Sequence, residues 1–210
     1  MQNLDAIADR IHQSFEARNA ARDHLLAQSR TLTRCCANAI RAVHRGENSL
    51  AEQNLAEAGA LANAIRSTAA EYPDLYYAGY SQDALKEFAE ASITYALLND
   101  RPLPAPEELG LEYAAYLQGL AEAVGELRRR CLDALLKGNS HEAQRLMELM
   151  EDIYAILVTM DYPDVITGGL RRLTDIARGV TERTRGDLAL SLRQENLEQS
   201  LRRLEERLQQ

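Results

Sequence analysis

The chain has 210 residues, a formal net charge of −8, and a composition that is 46% hydrophobic and 27% charged. That supports a substantial core and excludes disorder as the default. No stretch approaches the ~20 apolar residues of a membrane span, and the polar N-terminus does not read as a signal peptide. Cys35, Cys36 and Cys131 form no C-x-x-C pair, which excludes a zinc signature and a disulfide framework and predicts a reduced, cytoplasmic protein.

All five prolines fall between Pro73 and Pro163, so residues 1–72 and 164–210 are free of helix breakers. An interior proline costs a helix about 3 kcal/mol, and these stretches are rich in Ala, Leu, Glu, Arg and Gln. The first helix is predicted from about Asn3 to His44, with Leu32, Cys36, Ile40 and Val43 on one apolar stripe. Gly46-Glu47-Asn48 ends it. Ser49-Leu50-Ala51-Glu52 has the form of a capping box and predicts a second helix running to Glu71.

After the break at Tyr72-Pro73-Asp74, a third helix covers roughly Gln82 to Asn99, followed by a proline-rich loop. A fourth runs from near Glu107 to Lys137, with Gly110 and Gly119 as candidate bends. Ser140 is placed to cap a fifth, which reaches Met160. The sixth follows Tyr162-Pro163-Asp164, with Gly168-Gly169 and Gly186 as candidate joints. The fold class is therefore all-α, a bundle of six to seven long antiparallel helices. Leu197, Leu201, Leu204 and Leu208 form a coiled-coil-like seam of two heptads in a tail, residues 193–210. It is too short to stand alone and belongs on its own domain or on a symmetry mate.

Twenty-two of the 24 basic residues are arginine. Arg30, Arg34, Arg41 and Arg45, spaced 4, 7 and 4, fall within roughly 60° of one another and roughly 150° from the apolar stripe. The guanidinium fork matches phosphate oxygens, so this face is the candidate nucleic-acid-binding surface. Arg128-Arg129-Arg130 and Arg171-Arg172 point around their helices and read as solvated charge.

Carboxylates also cluster. Glu87 and Glu90 share a face of the third helix with Asp83 one turn earlier; Glu122 and Glu126, and Glu148 and Asp152, are i, i+4 pairs. Like charges at these spacings repel, so a cation between helices is one way to offset them, and hard oxygen donors suit Mg²⁺ or Mn²⁺. A ferritin-like di-iron site is excluded, because no histidine has a glutamate three positions before it. G-x-S-x-G, P-loop and dinucleotide fingerprints are absent as well.

The segment order carries a resemblance. Tyr72-Pro73-Asp74-Leu75-Tyr76-Tyr77 precedes Leu85-Lys86-Glu87-Phe88-Ala89-Glu90-Ala91. Then come Tyr116-Leu117-Gln118-Gly119-Leu120-Ala121, Gly125-Glu126-Leu127-Arg128, Gly138-Asn139 and Asp187-Leu188-Ala189-Leu190-Ser191-Leu192. This resembles the translin family, closest to its translin-associated factor X branch, along residues 1–192. The resemblance implies a seven-helix bundle whose subunits assemble into hollow homo-oligomers, hexamer to octamer, that bind single-stranded RNA or DNA inside.

For the factor X branch it further implies a Mg²⁺- or Mn²⁺-dependent endoribonuclease. Its Q-E-Y-V-E-A pattern falls on Lys86-Glu87-Phe88-Ala89-Glu90-Ala91, with Lys for Gln and Phe for Tyr, and its later Asp on Asp152. Glu87, Glu90 and Asp152 are thus the expected catalytic and metal-holding residues. Glu126 stands behind them or pairs with Arg130. The aromatic and His-rich basic segment of translin itself is replaced by Tyr77-Ala78-Gly79-Tyr80-Ser81. The alternative expectation is a non-catalytic nucleic-acid-binding or scaffolding subunit of the same fold.

Overall fold

The computed structural model describes residues 3–208, with the backbone alone at residue 69. Among them there is helix and no strand. Six helices are long: α1 (Leu4–Arg45), α2 (Asn48–Ser67), α4 (Gly79–Leu98), α6 (Tyr113–Leu136), α7 (Ser140–Thr159) and α9 (Leu170–Leu208). Three are single turns, α3 (Pro73–Tyr76), α5 (Pro106–Leu109) and α8 (Asp164–Thr167), and a 3₁₀ turn, Thr68–Ala70, ends the α2 segment. The predicted all-α class and the set of long helices are what the structure shows. Among the described residues no helix is long and apolar enough to cross a membrane.

The chain divides into two compact units, 1–119 and 120–210. In the first, α1 packs on α2 and α4, and α2 on α4. The predicted stripe Leu32, Cys36, Ile40 and Val43 is buried. The first buried residue of α1 is Leu25, so the preceding turns extend beyond the core. Gly46 stops α1 because its φ of 75° turns the amide back onto the carbonyls of Ala42 and Val43, a conformation that costs any side chain.

Two capping expectations differ from the structure. Ser49 does not cap α2; its N-cap is Glu47, which makes no side-chain cap bond. Glu52, the other half of that pattern, instead accepts hydrogen bonds from the Tyr95 hydroxyl at 2.5 Å and from Arg101 at 2.9 Å. The Arg101 guanidinium also sits over the Tyr95 ring, 4.9 Å from its centroid. A charge-assisted tertiary pair thus takes the carboxylate away from the helix terminus. At α7 the cap is Asn139 rather than Ser140, its Oδ1 accepting from the Glu142 amide at 3.1 Å.

Neither Gly119 nor Gly186 interrupts its helix: α6 and α9 run through them. The bend falls at Gly110, with φ of 64°, between α5 and α6. In the second unit α7 packs on α9, whose buried face is Leu170, Ala177, Thr181, Thr184 and Leu188. Arg128 donates to Thr184 at 2.8 Å and pairs with Asp187 at 2.9 Å. The tail expected at 193–210 is, as far as residue 208, a direct continuation of α9; its last two positions, like residues 1 and 2, lie outside the described residues.

Candidate carboxylate site and nucleic-acid interface

The start of α4 is fixed by α3. Pro73 opens that single turn, Ser81 Oγ donates to the Leu75 carbonyl at 2.9 Å, and Gln82 Nε2 to the Tyr76 carbonyl at 2.9 Å. The helix then buries Leu85, Phe88, Ala89 and Ala91, which leaves Glu87 and Glu90 half-buried at its edge. Asp83, expected on the same face, is exposed.

Lys86 Nζ lies 3.7 Å from Glu87 Oε1, and its side chain is only 16% exposed. Beneath them, Cys36 of α1 is fully buried. Burial foremost, then the charge of Glu87, with Cys35 and Glu90 adding to it, pushes the Cys36 thiol far above its ordinary value. The negative charge of the two glutamates therefore reaches into the α1–α4 interface. That thiol stays protonated and is no competitor for a hard cation.

Gly119 sets how closely α6 approaches α4. A Cβ there would stand 2.5 Å from Ala89 Cβ, 2.7 Å from the Glu90 amide nitrogen and 2.8 Å from the Lys86 carbonyl oxygen. Only glycine permits this backbone-on-backbone contact beside Lys86–Glu90. Three positions further along α6 comes Glu122, half-buried like Glu87 and Glu90. Sequence reasoning noted Glu122 only as the i, i+4 partner of Glu126. Its three-residue spacing from a helical glycine is the signal that singles it out.

The remaining candidates lie in the second unit. Asp152 is on the exposed side of α7, away from the buried Met150 and Ile153, and Glu148 one turn earlier is exposed too. Glu126 pairs within its helix with Arg129 at 3.6 Å, while Arg130 lies 3.9 Å from Glu142. Of the two roles expected for Glu126, pairing with Arg130 is not the one seen: Arg129 is its neighbour and Arg130 turns to Glu142.

Arg30, Arg34, Arg41 and Arg45 are all exposed along α1. Arg41 donates to Asn38 Oδ1 at 2.5 Å, and none of the four makes an ion pair with a carboxylate among the described residues. By contrast Arg128, Arg171 and Arg185 are paired with Asp187, Asp161 and Glu151. An arginine face without acidic partners leaves its donors to solvent or to an external anion.

No family profile matches the chain. An uncharacterized protein of Methanocaldococcus jannaschii is 33% identical over 191 residues, spanning 90% of this chain and 84% of the relative. Among solved structures, AfC3PO in complex with duplex RNA is 34% identical with a TM-score of 0.81, over 88% of this chain and 95% of that one. AfC3PO in a second crystal structure is 33% identical with a TM-score of 0.80, over 88% and 96%. C3PO is built from proteins of the translin and translin-associated factor X family. The chain belongs to the translin family. Apo-NeC3PO, at 21% identity and a TM-score of 0.80 over 88% of this chain and 96% of that one, has the same fold. Within this translin-family chain, α4 carries the paired glutamates and α1 the arginine face.

Proposed function

We infer that this protein binds RNA along the arginine face of α1. We further infer that it is a Mg²⁺- or Mn²⁺-dependent endoribonuclease of the translin-associated factor X kind. The observation that carries the second statement is the pair Glu87 and Glu90, half-buried on α4 where Gly119 brings a second helix backbone against it. RNA as ligand is supported by the duplex RNA complex of the similar AfC3PO. The donor set fits a hard divalent ion, since carboxylate oxygens are present and the adjacent thiol is held neutral. Glu87 and Glu90 would hold the ion, with Asp152 as the expected third carboxylate.

An ion held by Glu87 and Glu90 would supply Lewis-acid polarisation of a phosphoryl oxygen and lower the pKa of a bound water. One glutamate accepts the proton of the attacking water. The exposed arginines grip phosphate oxygens and hold the strand in register. Nothing on that face reads base edges, so sequence preference is weak. Subunits assemble into a hollow homo-oligomer, hexamer to octamer, in the cytoplasm. Exposed Leu4, Ile7, Ile11 and Phe15 on the N-terminal turns of α1 supply apolar surface for that assembly. Light scattering tests it, and a monomer at micromolar concentration counts against it.

Purified protein is incubated with labelled single-stranded RNA, duplex RNA or single-stranded DNA, with Mn²⁺ or with EDTA. Cleavage that requires Mn²⁺ and is lost in Glu87→Ala and Glu90→Ala supports the nuclease. Asp152→Ala then tests the third carboxylate. Binding should weaken with salt, and each of Arg30, Arg34, Arg41 and Arg45 changed to Ala should reduce the log–log salt slope by about 0.7 to 0.9. One feature favours the non-catalytic reading: Lys86, in place of the glutamine of the family pattern, already neutralises Glu87. Salt-sensitive binding with no cleavage by the parent protein or by Lys86→Gln would establish that reading.

A further inference from the structure

Lys86 is one of two lysines in a chain that fills 22 of its 24 basic positions with arginine. The other, Lys137, is exposed in the turn after α6. The Lys86 side chain is only 16% exposed, and its Nζ lies 3.7 Å from Glu87 Oε1. Its i, i+4 spacing sets Glu90 on the same edge of α4. The backbone here is held, because the Lys86 carbonyl lies against Gly119 where a Cβ would not fit. Any rearrangement at this edge is therefore one of the side chain.

The cation changes what the carboxylates offer. Glu87 and Glu90 alone carry −2, and with Lys86 beside them the edge carries −1. A divalent ion on the same oxygens has to displace the ammonium. Arginine would close the pair with a rigid two-pronged fork, whereas an ammonium is a point charge on a flexible four-carbon stem and leaves by rotating. Once displaced from so closed a place, that charge needs another anion. The anion that the proposed reaction brings is the phosphate at the cleavage point.

We propose that Lys86 is the counter-ion of Glu87 and Glu90 in the free protein and passes to the substrate: its ammonium moves from Glu87 to a phosphate oxygen of the bound strand, which opens the carboxylates to the divalent ion. This rests on the metal-dependent reading above and adds to it an order of events. Neutralisation of Glu87 by Lys86 then closes the site until RNA arrives, rather than disabling it. RNA and metal ion each strengthen the binding of the other, as linkage requires.

The test is Mn²⁺ binding by the full chain, read as loss of the free-ion signal in electron paramagnetic resonance. It is run with and without a 2′-O-methyl phosphorothioate RNA strand that resists cleavage. Ions held elsewhere are counted on Glu87→Ala/Glu90→Ala protein and subtracted. Without the strand, Lys86→Gln should bind Mn²⁺ about ten- to a hundredfold tighter than the parent. Lys86→Arg should bind it no tighter than the parent, because its fork holds the carboxylate at least as firmly. The strand should tighten Mn²⁺ binding by the parent about tenfold more than by Lys86→Gln, since only the parent has an ammonium to transfer. Lys86→Met, neutral and of similar length, replaces Lys86→Gln if circular dichroism shows that variant unfolded. Equal Mn²⁺ affinity in the parent and the neutral variant overturns the proposal and leaves the metal-dependent reading standing. So does a strand effect of the same size in both, or tighter binding by Lys86→Arg than by the parent. Mn²⁺ binding at Glu87 and Glu90 in neither protein, with or without the strand, overturns the two together.

Discussion

Gly119→Ala adds one methyl group where the structure has no room for it. The new carbon would lie 2.5 Å from Ala89 Cβ and under 3 Å from two backbone atoms of α4, the Glu90 nitrogen and the Lys86 oxygen. Ordinary contact begins near 3.4 Å, so the helices must part by roughly 0.6 to 0.9 Å. Overpacking of this kind costs about 1–3 kcal/mol, and the upper half applies because backbone, unlike a side-chain end, does not swing aside. Alanine returns about 1 kcal/mol in helix propensity. The net expectation is a destabilisation of about 1–2 kcal/mol, read as a lower urea midpoint at unchanged slope. Moving Lys86–Glu90 by that distance displaces the carboxylates, so Mn²⁺-dependent cleavage should fall about ten- to a hundredfold. Gly125→Ala is the control: it lies in the same helix, nothing stands within 4 Å of its Cβ, and the substitution should stabilise by up to about 1 kcal/mol. A Gly119→Ala protein as stable as the parent would refute the close approach.

Asn139→Ala removes the side-chain acceptor of the Glu142 amide and should cost about 1 kcal/mol in chemical denaturation, most of which Asn139→Asp restores. Cys35, Cys36 and Cys131 are buried with thiols pushed above their ordinary value, in each case first by burial. Ellman's reagent at pH 8 should therefore find no reactive thiol in the native protein and all three in denaturant. Hydrogen bonds from Tyr95, then Arg101, hold Glu52 below the usual carboxylate range. Its folded pKa lies below the unfolded one, so its stabilisation is present above the unfolded value, about 4.3, and is lost as pH falls through the folded value. Tyr95→Phe should weaken this acid dependence of thermal stability, and a melting-temperature profile from pH 7 to pH 3 unchanged by the substitution would contradict it.

The features legible in the sequence are those decided within one helix. The arginine face and the Leu32–Val43 stripe follow from 3.6-residue periodicity alone, and the structure has the former exposed and the latter buried. The turn ends, at Gly46, Pro73 and Gly138, follow from backbone chemistry. What was illegible depends on a second element. Ser49–Glu52 has the letters of a capping box, but Glu52 finds Tyr95 and Arg101, 43 and 49 residues away. Gly119 is visibly a glycine in a helix, yet the reason for it is the backbone of α4, which no local pattern reveals. Asp152 follows from the family pattern alone, and that its side of α7 is exposed cannot be read from the pattern.

The placement of the arginines and the glutamates on α1 and α4 has a consequence for the proposed nuclease. Cys36 marks the side of α1 that feels Glu87 and Glu90. Measured around the helix from Cys36, Arg30, Arg34, Arg41 and Arg45 fall about 120° to 180° away. A strand lying along that row is separated from the glutamates of the same protomer by the thickness of α1, about 10 Å. If both are used in one cleavage event, the arginines that grip the strand belong to a different subunit from the glutamates that act on it. Assemblies of Arg34→Ala/Arg41→Ala protein, and separately of Glu87→Ala/Glu90→Ala protein, should each cleave poorly. Co-refolded mixtures should recover a substantial part of the parent rate, because some junctions then join intact arginines to intact glutamates. A mixture no more active than its components would place the two functions in cis, and would require the RNA to follow a path other than the outer face of α1.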